Sequence, residues 1–471
     1  MSSGWLVAIG LVVVYVAFVT WLVQTGRLQR WNLSLMLGFV LMVRTQRGKG
    51  ALDALSKPRR LWNAFGDLGT VLTLVGMLGM TLLFFLTLAV SLNPRSGVQP
   101  LAANEILVIP GVNPFVPLWY GIVALIVTLV VHEGAHGVLA RANGMRVKSL
   151  GLLFAVVPIG AFVEPDDDDL KAAPRRRRLR VFAAGPTVNL ATAALCLVAF
   201  SLLVGSATPA PGVHVRSVWQ DSPADAAHLA PGDSLVRLNG TALGGWEEFT
   251  AAMRAHHPGD QVRLGLRDGR EATVTLGSYW GHLTPRAQEQ VLAGNASAME
   301  ECRARLDPDP PSGAACAEAF QRQAFLGINA LLPSDMAFAA HPLTGHGVGL
   351  VDLVALPIGE VKGQPFLSVY LPAFLDAPLS PALFWPLTTL LFWLFWIDLM
   401  VGLTNILPML PLDGGHVFRD AVGGLVERAR PAMDPARRDK IVGRTAGAVS
   451  LVILLAFLLQ IIGPRLVQGL G

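Results

Sequence analysis

Six stretches of this chain, residues 4–24, 68–92, 115–140, 181–205, 383–408 and 446–463, are apolar for long enough to cross a bilayer. A hydrocarbon layer of about 30 Å needs roughly 20 helical residues at about 1.5 Å each. Inside lipid every backbone N–H and C=O must find an internal partner, so isolated runs of this length fold as helices. An α-helical polytopic membrane protein with six spans is therefore expected. Composition agrees: 52% of the 471 residues are hydrophobic and 15% charged, and the mean hydropathy of +0.50 lies to the apolar side of soluble domains. Residues 33–43 are too short to span and are expected at the interface or against the bundle. No basic segment precedes the first run, which is long enough to stay as an anchor rather than leave as a signal peptide.

Arginine and lysine concentrate in residues 27–60, 141–180 and 419–444. Short basic loops remain cytoplasmic. All three alternate correctly with six spans when both termini and residues 206–382 are extracytoplasmic. The run Arg175-Arg176-Arg177-Arg178 then reads as a topological signal, and no direct nucleic-acid binding is expected. The bias of arginine over lysine points to a prokaryotic source. The acidic run Asp166–Asp169 is expected to be a solvated surface.

Within the third apolar run the chain reads His132-Glu133-Gly134-Ala135-His136. Histidines four apart share one helical face and can bind one Zn²⁺, with the glutamate between them a candidate general base. A charged group at the middle of a membrane helix costs roughly 2.5–3.5 kcal/mol on insertion scales, so a residue kept there carries a use. Two histidines leave a zinc site one protein ligand short if the fourth position is left to water. Asn405 through Gly415, at the inner end of the fifth run, supplies the best candidate. Pro408 and Pro411 prevent a regular helix, Gly414 and Gly415 permit close backbone approach, and the broken segment brings Asp413 to the depth of the histidines. Asp398 is a second acid in this run, with no motif role.

With His132 through His136, Asn405 through Gly415 and Ala184-Gly185-Pro186-Thr187-Val188-Asn189, the chain resembles the site-2 protease family of intramembrane zinc metalloproteases. The resemblance implies a six-span core and one zinc per chain held by His132, His136 and Asp413, with Glu133 activating water. It implies that Asn189 and Asn405 hold the substrate backbone or the developing oxyanion, and that residues 145–165 form a membrane-dipping β-hairpin whose edge pairs with an unwound substrate. Expected substrates are single-pass membrane proteins, including membrane-anchored transcription regulators, cut in regulated intramembrane proteolysis after an upstream site-1-type protease.

Residues 206–382 break the hydrophobic pattern. Alternation at Val213, Val215 and Val218, at Leu235, Val236 and Leu238, and at Val262, Leu264 and Leu266 marks short strands. Ser222 to Leu229 followed by Pro231 to Gly240 resembles a PDZ domain, with His228 where that pattern usually has glycine. The organisation expected is a core of 1–205 and 383–471, an extracytoplasmic α/β PDZ-like domain at 206–280, and a Pro-rich region at 281–382 of unassigned fold. Cys302 and Cys316 are candidates for a disulfide, while Cys196, inside a span, reads as structural. The insert is expected to restrict access by bulky substrates, with recruitment of a C-terminal carboxylate as the other role open to it. Two rival readings are a prenyl-protein protease, expected to use a glutamate as third ligand, and a non-proteolytic receptor or metal carrier with a PDZ sensor.

Overall fold

A computed structural model describes residues 3–469 apart from 32, 37, 94–109, 111–112, 114, 156, 307–311, 332–353, 356 and 358–365, so much of the Pro-rich region lies outside the described residues. The chain divides into two compact units, residues 1–197 with 390–471, and residues 198–389.

The first unit opens with helix α1 (Ser3–Gln24). It continues through α2 (Arg59–Ser91), α3 (Leu118–Ala142), α4 (Arg175–Phe182) and α5 (Ala184–Gly205). Helix α2 shows how these helices pack. Gly66, Gly69, Thr73 and Met77 recur at helical spacing and are buried. A Cβ at Gly66 would strike Arg180, and one at Gly69 would strike Thr187. Such small residues let backbones approach closely, which substitutes for the hydrophobic driving force that lipid removes. The opposite face exposes Leu68, Val71, Val75, Leu78 and Leu82. An apolar patch of that extent is tolerated by a solvent that is itself apolar.

Four strands form an antiparallel sheet in the order β1 (Leu33–Met36), β2 (Val40–Thr45), β3 (Val147–Ala155) and β4 (Val157–Pro165). The hairpin expected at 145–165 is present as β3 and β4. The run 33–43, expected only to lie at the interface or against the bundle, is a second hairpin. Gly38, at φ 79°, reverses the chain, and pairing of β2 with β3 satisfies backbone groups that a short helix could not carry across lipid. The Tyr15 hydroxyl on α1 lies 2.8 and 2.7 Å from the carbonyls of Phe39 and Phe154, tying this helix to the sheet.

In the second unit β5 (Val213–Val218), β6 (Ser234–Leu238), β7 (Gln261–Leu266), β8 (Glu271–Thr275) and β9 (Ile328–Leu331) pair in the order β8-β7-β6-β5-β9. Most of the alternation read from the sequence is the core: Val213, Val215, Leu235, Leu238, Val262, Leu264 and Leu266 are buried together with Phe249 of helix α6 (Trp246–Met253), while Val218 and Val236 are half-buried. His228, at φ 56°, adopts the left-handed conformation that favours glycine. The region of unassigned fold supplies β9 and, among its helices, α7 (Ala296–Arg305) and α8 (Gly313–Arg322). Cys302 and Cys316 are joined in a disulfide, inside a small core with Tyr279, Val291 and Phe320. Burial and the adjoining Glu301 carboxylate, 2.5 Å away, push the Tyr279 hydroxyl well above its usual pKa.

The chain returns through α9 (Pro381–Asn405), α10 (Asp413–Ala429) and α11 (Pro435–Gly469). Among the described residues five helices are long and apolar enough to cross a membrane: α2, α3, α5, α9 and residues Pro435–Arg465 of α11. The arginine run does more than carry charge. Arg176 and Arg180 both grip Asp67 of α2, Arg178 forms a two-bonded pair with Asp420 of α10, and Arg175 reaches Glu427. The run therefore staples α4 to both neighbours. The acidic run is exposed at Asp167 and Asp168, as expected, and structural at its two ends. Asp166 is buried rather than solvated, because its carboxylate caps the short helix Asp167–Ala172. Asp169 pairs with Arg146, whose guanidinium lowers its pKa to about 2.

Candidate metal centre and active site

Helix α3 changes character along its length. Its first turns expose Leu118, Trp119 and Val123, whereas Ala135 through Ala140 are buried on every side. His132 and His136 sit at that transition, one turn apart, with their Nε2 atoms 3.3 Å from each other. Asp413 comes from a different element. Helix α9 ends at Asn405, the two prolines carry the chain around, and α10 begins at Asp413, whose carboxylate lies in a first helical turn where the dipole favours negative charge. Gly414 and Gly415 are needed there, because a Cβ on either would enter the backbone of residues 406–410. Asp413 Oδ2 lies 3.0 Å from His132 Nε2 and 3.3 Å from His136 Nε2.

Three donor atoms within 4.8 Å of one another can hold one metal ion. Their chemistry, two imidazoles and one carboxylate, is a zinc set with room for a fourth ligand. Hydrogen bonding supports that use. His136 Nδ1 is 2.7 Å from the Val181 carbonyl, which can only accept, so this nitrogen carries a proton, and in the neutral ring Nε2 keeps its lone pair. Asp413 Oδ2 is buried and, among the described residues, meets no polar group beyond the two histidine rings. With a lone pair on each Nε2, a buried carboxylate oxygen facing the two rings is costly without a cation between them.

Asn189 of α5 is fully buried and its amide lies 3.0 Å from His132 Nδ1. Its Oδ1 has no partner. The two ends of an amide are assigned only by their bonds. With His132 Nε2 turned to a metal, Nδ1 bears the proton, and Oδ1 is the end suited to accept it. Asn405, the other asparagine singled out by the sequence, is half-buried at the last residue of α9. Glu133 is half-buried, and its Oε2 accepts a 3.0 Å hydrogen bond from the N–H of Val163 on β4. Since β3 occupies the other side of β4, that N–H lies on the strand's free edge.

Three contributors escaped the sequence reading. Val163 and Val181 act through backbone atoms, which no side-chain pattern reports. Gly185 lay within a motif but had no assigned role. A Cβ there would collide with both histidine rings, so only glycine lets α5 close on the ligand pair. His416, stacked on Phe182 at 4.8 Å, is held below its ordinary pKa by burial.

Comparison with known proteins agrees with this geometry. The model of peptidase family M50 matches residues 120–454. An uncharacterized protein of Methanocaldococcus jannaschii is 30% identical over 269 residues, covering 56% of this chain and 70% of that protein. The zinc metalloprotease Rip1 of Mycobacterium bovis is 23% identical over 406 residues, covering 73% of this chain and 96% of its own. A membrane-bound transcription factor site-2 protease homolog of Arabidopsis thaliana is 27% identical over 166 residues, 34% of this chain and 30% of that one. These matches do not favour a non-proteolytic receptor. The chain belongs to peptidase family M50, that of the site-2 proteases, and is an intramembrane zinc metalloprotease.

Proposed function

We propose that His132, His136 and Asp413 hold the zinc, that Glu133 is the general base, and that the protein cleaves transmembrane segments of single-pass membrane proteins in regulated intramembrane proteolysis. The observation that carries this reading is the convergence of three potential ligand atoms beside a glutamate bonded to a free strand edge. Zinc supplies a Lewis acid that brings the pKa of water near 7 and polarises a carbonyl. Glu133 takes the proton of the attacking water and returns it to the leaving amine. Val181 and Asn189 fix the tautomers and ring directions of His136 and His132, which makes Asn189 a positioning residue. Asn405, whose side chain makes no hydrogen bond among the described residues, is the group left to meet substrate or oxyanion.

A transmembrane helix protects its own carbonyls, so the substrate must unwind locally. The free edge of β4 around Val163 offers it main-chain bonds without demanding a particular sequence, and the β3–β4 hairpin is read as dipping into the membrane. In this reading α1 is the sixth span, and the basic segments are cytoplasmic. Both termini and residues 206–382 are then extracytoplasmic, in a prokaryotic cell membrane. The sheet of β5–β9 with α6 is read as a PDZ-like domain, and a site-1-type protease is read as acting first on the substrate.

The test is Glu133→Gln. The variant keeps its zinc, because no ligand is removed, and loses cleavage of a membrane-embedded reporter by roughly 10²–10⁴-fold. Cleavage near the unmodified rate contradicts the assignment.

A further inference from the structure

Where α2 begins and α3 ends, the first unit encloses a cavity of about 450 Å³ that no part of the proteolytic reading uses. Lys57 and Arg59 line it at the entry to α2, Asp53 from the short helix Lys49–Leu55, and Arg141 and Arg146 at and just beyond the last turn of α3. Both α2 and α3 are long and apolar enough to span a bilayer, and the cavity joins one end of each. It therefore lies where the chain leaves the hydrocarbon. The Trp62 indole donates a 2.7 Å hydrogen bond to the Leu55 carbonyl and closes the turn that carries Lys57 and Arg59. Leu55 and Leu61, which flank those cations in sequence, are exposed. Apolar side chains next to cations suit the boundary between acyl chains and headgroups.

The cations of this lining outnumber the acids that answer them. Arg146 is paired with Asp166 and Asp169. Arg141 meets a single acid: its Nε lies 3.0 Å from Asp53 Oδ1, and its two terminal nitrogens have no hydrogen-bond partner among the described residues. Lys57 and Arg59 form no ion pair among the described residues. A guanidinium with its terminal nitrogens free presents the planar donor geometry that phosphate oxygens accept.

The helix start adds to the imbalance. Helix α2 opens with Arg59 and Arg60, has no acid in its first turn, and receives no side-chain cap from Pro58. Two cations at the positive end of a helix dipole oppose it, and the first-turn N–H groups lack a side-chain acceptor. An anion in the cavity offsets both costs. The cavity is also coupled to the metal-bearing helix. Leu52 of the short helix shares a core with Ala135, Val138 and Leu139 of α3, and a Cβ on Gly137 would come within 2.9 Å of it.

We propose that this cavity holds the phosphate of an anionic membrane lipid, with Arg141, Lys57 and Arg59 around the phosphate and the acyl chains beside Leu55 and Leu61. Basic pockets between the cytoplasmic ends of membrane helices take anionic headgroups in this way, and these basic segments are the ones read as cytoplasmic. The bound headgroup bridges the entry of α2 to the last turn of α3 and so braces the helix that carries His132 and His136. The inference goes beyond the proteolytic reading and uses none of its steps.

The test uses the full-length protein, delipidated in detergent and titrated with phosphatidylglycerol, phosphatidylcholine or glycerol 3-phosphate, with bound ligand counted by native mass spectrometry. Phosphatidylglycerol is expected to bind at least about ten-fold more tightly than zwitterionic phosphatidylcholine, and at least about ten-fold more tightly than glycerol 3-phosphate, which lacks acyl chains. Lys57→Gln with Arg59→Gln, both at exposed positions, should weaken phosphatidylglycerol binding about thirty-fold, at about five-fold per cation, with zinc content and circular dichroism unchanged. Arg430→Gln, a basic position outside the cavity, should leave it as it was. Equal binding of the two lipids, or phosphatidylglycerol binding untouched by the double variant, overturns the proposal. Glycerol 3-phosphate bound as tightly as phosphatidylglycerol would give the cavity to a soluble phosphate and overturn the lipid assignment. Because the assay reads lipid binding with zinc content followed separately, no outcome bears on the metal centre.

Discussion

The metal centre gathers side-chain atoms, whereas the groove of the second unit gathers backbone. At the centre three donor atoms lie within 4.8 Å, the two imidazoles each oriented by a specific neighbour, and a glycine on α5 permits the approach. The groove lined by α6, α7, α8 and the start of β9 presents a strand edge that is unpaired among the described residues, bordered by apolar surface and a few cations. A site built of side chains fails when one residue changes. A site built of backbone fails when the scaffold that directs it loosens.

That contrast can be broken by substitution. The largest effect is expected from Gly185→Val, whose branched side chain must displace both histidine rings. Zinc and proteolysis should both be lost; a variant that binds zinc normally would show that the close approach of α5 is not required. Next comes Cys302→Ser with Cys316→Ser, which opens a link across a sequence separation of 14. A loop of that size contributes about 3 kcal/mol on the chain-entropy account. Thermal unfolding of the insert should fall while zinc content stays unchanged, and an unchanged melting profile would mean that the helical wall is held by packing alone.

Asn189→Ala should weaken zinc binding or activity about 10–100-fold, roughly 1.4–2.7 kcal/mol, because the ligand remains while its orientation is lost. Asn189→Asp, which still accepts from His132 Nδ1, should recover part of this in a zinc titration. Equal losses in both variants would argue for a substrate contact instead. The smallest effect is expected from His228→Gly. Relief of a left-handed conformation, worth about 1–2 kcal/mol, is partly offset by the added freedom of glycine in the unfolded chain, worth about 0.5–1 kcal/mol. Denaturant unfolding should show a gain below about 1.5 kcal/mol; a loss would mean that the imidazole makes a stabilising contact.

The same contrast explains what could be read from the sequence. His132, His136 and Asp413 announced themselves because helical spacing and a proline-broken segment dictate their depth. The core of β5–β7 was equally readable, since alternation has a period that burial enforces. Three things were not. Val163 and Val181 serve through atoms that every residue possesses. Strand β9 is separated from its sheet partner β5 by more than a hundred residues, too far for local periodicity to pair them. The ion pairs of the arginine run were not legible, because its partners Asp67, Asp420 and Glu427 are scattered along the chain and come together only in the fold.

The central claim is that one zinc sits between two helical histidines and an aspartate delivered by a broken helix. Metal analysis of the purified protein tests it most directly. Near-stoichiometric zinc is predicted for the unmodified chain and for Glu133→Gln, with a sharp drop in Asp413→Ala. Zinc retained in full by Asp413→Ala would contradict the account.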